Sequence, residues 1–251
     1  MPKNLVRPGS AGDASQPYSR QQLADQYVTA DRSNPTLATG LARWVIAAYT
    51  APGDIVCDPN PGPGVVLAEA IRTGRHAYGL HTPSRRESAL ESNLELACHA
   101  NSSGTATLLS GIDDPHAATL PNAVDLVLTG LRPAPTRSPS RELIELYEDL
   151  NAVVDWVWPG GHVVVICHPR RRRRDFLLDL PGKICDVAKA IGLLPVGHYI
   201  VLTTRVHGRH VTRQFAARTG NHPENTSIQR CATHPTHINV LAFSMPHGKR
   251  R

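Results

Sequence analysis

Aromatic side chains are scarce in this sequence. Phe, Trp and Tyr make up 5% of its 251 residues, so a broad ring-stacking surface for nucleic-acid bases is not expected. No apolar run reaches the roughly 18–20 residues that a transmembrane helix needs. Residues 1–22 contain no apolar signal core. We therefore predict a cytoplasmic protein without a membrane-spanning segment.

Cysteines are few and widely spaced, and their number is odd. Several of them fall within apolar strand or helix patterns, which predicts buried reduced thiols rather than a disulfide framework. Cys231, His234 and His237 have the spacing of metal ligands. No fourth ligand is evident beside them, and we predict no metal site. The five cysteines are Cys57, Cys98, Cys167, Cys185 and Cys231.

The chain contains enough apolar material for one sizeable core. Hydrophobic residues make up 41% and charged residues 19%, which excludes a wholly disordered protein. We predict a flexible N-terminal arm over residues 1–30 and a single domain over residues 31–247. The formal net charge of +6 favours a polyanionic partner such as DNA or RNA.

Strand patterns alternate with helix patterns along most of the chain, which predicts a mostly parallel sheet with helices on both faces. No helical pattern separates the last two strands, so we predict an antiparallel pair at that edge, with an extra strand at 210–216. The predicted strands cover 54–58, 76–80, 105–109, 124–129, 162–167, 198–206 and 239–245. The predicted helices cover 35–49, 64–73, 86–100, 141–158 and 181–192.

A glycine-containing turn follows the first predicted strand and precedes a helix. It reads DPNPGPG from Asp58 to Gly64. Gly62 and Gly64 have no side chains, so a ligand can approach the backbone, and the helix that follows offers free N–H groups. Ligands of open parallel sheets bind at the carboxyl ends of the strands. A nucleotide-like cofactor site and a purely structural turn both fit this segment.

The surroundings of the turn carry a family resemblance. Asn34-Pro35 precede a helix, and residues 52–81 read PGDIVCDPNPGPGVVLAEAIRTGRHAYGLH. This stretch resembles the S-adenosylmethionine-binding half of amino-methyltransferases that act on nucleic acids, including N4-cytosine and N6-adenine DNA methylases and tRNA guanosine N2-methyltransferase-like proteins. The segment WPGGHVVVICHP at 158–169 resembles the family's turn before its fifth strand. The resemblance implies a Rossmann-like class I methyltransferase fold and S-adenosylmethionine as cofactor.

The resemblance assigns cofactor roles residue by residue. His81 stands where the family has an acid that holds the cofactor ribose, and an imidazole lacks the two oxygens of a carboxylate. Asp113 follows the third strand, where it would lie near the adenine. The cofactor-binding positions that the resemblance implies are Asp58, Pro59, Gly62, Gly64, His81 and Asp113.

The family's catalytic motif is degenerate here. The fourth strand of the family ends in a polar residue that accepts a hydrogen bond from the target amino group. Gly130 occupies that position, Thr129 is a neighbouring hydroxyl, and Arg132 can only donate. Thr129, Gly130 and Arg132 would therefore border the acceptor. Two hypotheses remain: a methyltransferase acting on an amino group of DNA or RNA, and an inactive binding or regulatory protein on the same fold.

An unbroken arginine run follows the fifth predicted strand, on the side of the sheet where the glycine turn also lies. Guanidinium groups suit phosphate, and clustered charge makes binding salt-sensitive. We predict nucleic-acid contact here, with a merely solvated loop as the alternative. The residues are Arg170, Arg171, Arg172, Arg173 and Arg174.

Overall fold

A seven-stranded sheet organises the structure, which is a computed structural model. It describes Tyr27 and residues 37–80, 87–99, 103–131, 138–170, 176–202, 206–207, 210–211 and 237–247. The strands of the sheet are β1 (Ile55–Asp58), β2 (His76–Leu80), β3 (Thr105–Leu109), β4 (Val124–Gly130), β5 (Val157–Cys167), β6 (Leu194–Leu202) and β9 (His237–Ser244).

The strand order is β3-β2-β1-β4-β5-β9-β6. All neighbouring pairs from β3 to β5 are parallel, and β9 is antiparallel to both β5 and β6. The predicted mostly parallel sheet and its antiparallel edge pair are thus confirmed. Two short strands, β7 (Val206–His207) and β8 (His210–Val211), pair separately. Residues 212–216 of the predicted extra strand lie outside the described residues.

Helices cover both faces of the sheet, as predicted. Helices α1 (Thr39–Tyr49), α2 (Val65–Arg72) and α3 (Glu87–Cys98) bury their apolar residues on one face. On the other face lie the 3₁₀ helices Pro115–Thr119 and Val154–Trp156, with α4 (Pro139–Val153) and α5 (Leu180–Ala190). In the described part of the chain, no helix is long and apolar enough to cross a membrane.

The start of β5 differs from the prediction. Pro159-Gly160-Gly161 was expected to be a turn after a helix ending at Trp158, but β5 already begins at Val157. The helix ends earlier because the carbonyls of Asp155 and Trp156 accept hydrogen bonds from the loop before β4. Gly160 then adopts a positive φ of 101°, and its N–H donates to the Met245 carbonyl at 3.1 Å.

A buried carboxylate joins α2 to α1 and to Tyr27. The Glu69 side chain is fully buried. It accepts hydrogen bonds from the Tyr27 hydroxyl at 2.6 Å, Arg43 Nε at 2.7 Å and Arg72 Nη1 at 3.0 Å. The Arg72 guanidinium also lies 4.6 Å from the centre of the Tyr27 ring. Tyr27 belongs to the segment predicted as a flexible arm, and its side chain is buried in the core at this point.

Replacing Glu69 tests this ion cluster. We expect Glu69→Gln to lower the free energy of unfolding by about 3 kcal/mol, because Arg72 loses its counter-charge in a buried setting. Urea unfolding followed by circular dichroism measures the change. Glu145→Gln is the matched control, since Glu145 pairs with the exposed Arg141 on the surface of α4, and it should cost less than about 1 kcal/mol. Equal losses for the two variants would contradict the assignment.

Candidate functional site

The carboxyl end of β1 is the switch point of the sheet. β1 has β2 on one side and β4 on the other, so the connections that leave β1 and β4 diverge there. Open parallel sheets bind ligands in the crevice that such divergence creates. The turn that follows Asp58 lies at this position.

Hydrogen bonds within the turn define its shape. Asp58 is buried, and its Oδ1 accepts from the backbone N–H of Asn60 at 3.0 Å. The Gly64 N–H donates to the Pro61 carbonyl at 2.8 Å. The side chain of Asn60 is exposed and donates to Asp149 Oδ2 at 3.2 Å. Gly62 is half-buried, so the middle of the turn retains access to solvent.

Both glycines have left-handed backbone conformations. The φ angle is +53° at Gly62 and +81° at Gly64. A Cβ on Gly64 would lie 2.6 Å from Leu90 Cδ1, so the buried Leu90 side chain would have to shift to accommodate any other residue. Gly64 is also the N-cap residue of α2, immediately before Val65, and it makes no side-chain hydrogen bond to the helix. The first-turn N–H groups of α2 therefore have no cap from that residue and can serve an anion.

Helix α3 supports the turn from behind. Asn93 is buried, and its Nδ2 donates to the Pro63 carbonyl at 2.8 Å. The sequence analysis did not single out Asn93. Its helical spacing from Leu90 and Ala97 places it on the buried face of α3, and a polar residue on such a face was the available signal.

The two acidic residues in the loop after β3 have different roles: Asp114 caps a helix, whereas Asp113 is exposed to solvent. Asp114 caps the 3₁₀ helix at Pro115 and accepts from the N–H groups of Ser110 and His116, each at 2.9 Å. These hydrogen bonds lower the pKa of the Asp114 carboxyl. Asp113, the predicted adenine contact, is exposed, and its neighbour Ile112 is exposed as well.

Strand β4, which was predicted to border the methyl acceptor, exposes few reactive groups at its carboxyl end. Thr129 is only 2% exposed and lies within β4. Gly130 pairs with Ile166 of β5, and the Leu131 N–H donates to the Ile166 carbonyl at 2.8 Å. Arg132 lies outside the described residues. The end of β4 therefore offers backbone groups and no exposed hydroxyl at Thr129.

The first residue of the arginine run is held by a buried carboxylate. Arg170 forms an ion pair through Nη1 with Glu142 in the first turn of α4, and the Glu142 side chain is 1% exposed. The Arg170 carbonyl accepts from the N–H of Leu178 at 2.8 Å. Arg170 thus ties the segment after β5 to α4. His81, the predicted ribose contact, and Arg171, Arg172, Arg173 and Arg174 lie outside the described residues.

Two of the described thiols, those of Cys57 and Cys167, are buried in the core. Cys57, Cys98, Cys167 and Cys185 are all free. Burial raises the pKa of Cys57 well above its usual range, and the neighbouring Asp58 raises it further. Burial also raises the pKa of Cys167 to about 12. Among the described residues no group of His, Cys, Asp and Glu side chains could hold a metal ion. Cys231 and His234 lie outside them.

Solved structures share this architecture. The chain resembles precorrin-6y C5,15-methyltransferase from Geobacter metallireducens, with 15% identity, a TM-score of 0.52, and coverage of 88% of this chain and 95% of that one. It also resembles the precorrin 8W decarboxylase of Methanobacterium thermoautotrophicum, with 18% identity, a TM-score of 0.51, and coverage of 88% and 98%.

A third likeness is to TrmN from Thermus thermophilus, with 16% identity and a TM-score of 0.52. It covers 90% of this chain and 52% of that one, so this chain spans about half of TrmN. No protein-family model and no curated protein matches the chain. At these identities the likeness concerns the fold alone. The chain has the Rossmann-like class I methyltransferase fold, as the sequence predicted.

Gly64→Ala tests the packing of the turn. We expect a loss of about 2 kcal/mol in unfolding free energy, because alanine is strained at positive φ and its Cβ meets Leu90. Urea denaturation provides the measurement. Gly111→Ala is the control, since a Cβ there would meet nothing within 4 Å, and it should change stability by less than about 0.5 kcal/mol. A neutral Gly64→Ala would show that α3 does not constrain the turn.

Proposed function

We propose that this protein is an S-adenosylmethionine-dependent methyltransferase that acts on an amino group of DNA or RNA. The observation that carries the proposal is the turn from Asp58 to Gly64. It lies at the switch point of the sheet, contains two left-handed glycines and leads into α2, whose N-cap residue Gly64 makes no side-chain hydrogen bond. The fold shared with a solved methyltransferase supports the proposal, as does the motif resemblance.

The residues around the turn fit an adenosyl cofactor. Such a cofactor has a charged amino-acid end and an aromatic base. The N–H groups that open α2 would hold the carboxylate of the amino-acid end. Asp113 would accept a hydrogen bond from the adenine amino group, and the exposed Ile112 would contact the ring. When bound, the cofactor supplies an electrophilic methyl group on sulfur.

The acceptor amino group would be positioned at the end of β4. Backbone carbonyls near Gly130 would accept hydrogen bonds from the amino group, since Thr129 is buried. Alignment of the nitrogen lone pair with the methyl group would then provide most of the rate acceleration. No described side chain at the end of β4 replaces the polar acceptor of the family that the sequence resembles.

A second function follows from the same strand. A binding or regulatory protein would keep the fold and the cofactor turn without needing an acceptor at Gly130. The burial of Thr129, together with the missing side chain at Gly130, favours this candidate. Transfer of a radiolabelled methyl group to total RNA or DNA distinguishes the two functions. Incorporation above that of a Gly62→Trp variant supports the enzyme, and cofactor binding without any incorporation supports the binding protein.

Cofactor binding is tested directly by calorimetric titration with S-adenosylmethionine and its demethylated product. We expect the native protein to bind both. Gly62→Trp should abolish binding, because the indole would occupy the open centre of the turn. Asp113→Ala should weaken binding about tenfold, a typical loss for one hydrogen bond to a charged group.

Ile144→Trp is the control for the titration, because it adds an indole at an exposed position of α4 and should bind as the native protein does. Absence of binding by the native protein at millimolar cofactor would contradict the proposed methyltransferase.

Nucleic-acid contact is tested by replacing the arginines that follow Arg170 in the run after β5. We expect Arg171–Arg174 changed to Ala to reduce the slope of log affinity against log salt by up to about 3, since each lost phosphate contact removes roughly 0.7–0.9. Arg170 is left in place because it pairs with Glu142. The tail variant with Lys249, Arg250 and Arg251 changed to Ala is the control and should retain the slope. Filter binding to single-stranded RNA at several salt concentrations measures both, and an unchanged slope for the first variant would exclude the run as a phosphate contact.

A further inference from the structure

The outer edge of β6 is open in the described sheet. β6 is the last strand in the order and pairs with β9 only. A strand in this position presents a row of N–H and C=O groups that can pair with another strand. Between Pro195 and Gly197 the register against β9 shifts, so the regular part of the edge is the stretch from Gly197 to Leu202.

This edge is mostly apolar and contains no Asp, Glu, Lys or Arg. The sequence from Leu194 to Leu202 reads LPVGHYIVL. Four of its apolar side chains are exposed: Leu194 at 54%, Val196 at 50%, Ile200 at 62% and Leu202 at 39%. Edge strands of monomeric proteins are commonly protected by charged residues, lysine above all. The absence of charge in a chain of net charge +6 favours an uncharged strand as partner over a nucleic acid.

A cavity of about 530 Å³ lies beside the edge, between the start of α5 and strands β6 and β9. Leu241 and Phe243 form part of its apolar lining, and His198 of β6 borders it. His198 Nε2 lies 2.9 Å from Asn239 Oδ1, which fixes the ring on this side of the sheet. The cavity thus offers a mostly apolar receptor next to the open edge, with Asp179 at the start of α5 as its charged lining residue.

We propose that β6 pairs antiparallel with β6 of a second copy of this chain, about a two-fold axis at Ile200. In this register Ile200 meets Ile200 of the second copy, and Leu202 of the second copy stands opposite His198. That places Leu202 of each copy next to the cavity of the other, so one surface supplies both the protruding side chain and its receptor. A two-fold interface requires such self-complementarity, and pairing removes the open edge from both copies at once.

The oligomeric state tests the proposal without reference to any catalytic function. Light scattering after size-exclusion chromatography should give the native protein the mass of a dimer. Ile200→Lys should give a monomer, because two lysines would meet at the axis. Ile144→Lys, which places the same charge on an exposed apolar residue of α4, should remain dimeric. A monomeric native protein, or a dimeric Ile200→Lys variant, would overturn the proposal.

The register is tested by cross-linking in a background with Cys98, Cys185 and Cys231 changed to Ser, because Cys185 is half-buried and lines the cavity beside which Leu202 of the second copy would lie. Ile200→Cys should form a disulfide-linked dimer on mild oxidation, since directly opposed residues of antiparallel strands lie about 4.5–5.5 Å apart between Cα atoms. Leu202→Cys should not, because its counterpart in the second copy would stand opposite His198. The reverse pattern would overturn pairing at Ile200. Circular dichroism of each variant verifies that it has folded.

Discussion

The contact between α3 and the turn after β1 is the constraint on which the candidate site depends. Asn93 donates a hydrogen bond to the Pro63 carbonyl, and Leu90 Cδ1 lies 2.6 Å from the position that a Cβ on Gly64 would occupy. Because α3 supports the turn from one side, its backbone stays in a conformation that only glycine adopts easily. In this conformation Asn60 is exposed to solvent and Gly62 is half-buried. The exposed Asn60 side chain extends from this turn to Asp149 of α4.

Two buried carboxylates, Glu69 in α2 and Glu142 in α4, stabilise the helices that follow β1 and β4. Glu69 joins α2 to α1, and Glu142 joins the start of α4 to Arg170. Both satisfy the rule that a buried charge needs a paired and hydrogen-bonded partner. Arg170, the first residue of the arginine run, is thereby tied into the fold. Methyltransferase and binding-protein functions are both compatible with this frame, because the difference between them lies in a few groups at the end of β4.

The elements most readily predicted were those with strong local patterns. Strands β2 and β3 occupy the ranges that alternating and apolar residues indicated, and the helix before β2 ends within one residue of the predicted position. The beginning of β5 was predicted wrongly, because Pro-Gly-Gly is typical of a turn while pairing with Met245 draws it into the sheet. Asp113 and Asp114 show the same limit within the site. Neighbouring acids look equivalent in a sequence, and only the helix that begins at Pro115 separates the capping residue from the exposed one.

Composition and periodicity by themselves determined the mostly parallel sheet with helices on both faces, because these signals depend on residues close together in the chain. The motif resemblance added the class I methyltransferase fold, and ligand binding at the glycine turn stays a prediction. The long-range partners of Glu69, Glu142 and Asn93 were decided by the tertiary structure alone, since the contacts with Arg43, Arg170 and Pro63 join residues 26 or more positions apart. The same holds for the open edge of β6. An apolar strand reads alike whether it is central or at an edge, and only the strand order shows that nothing in the described sheet lies beyond it.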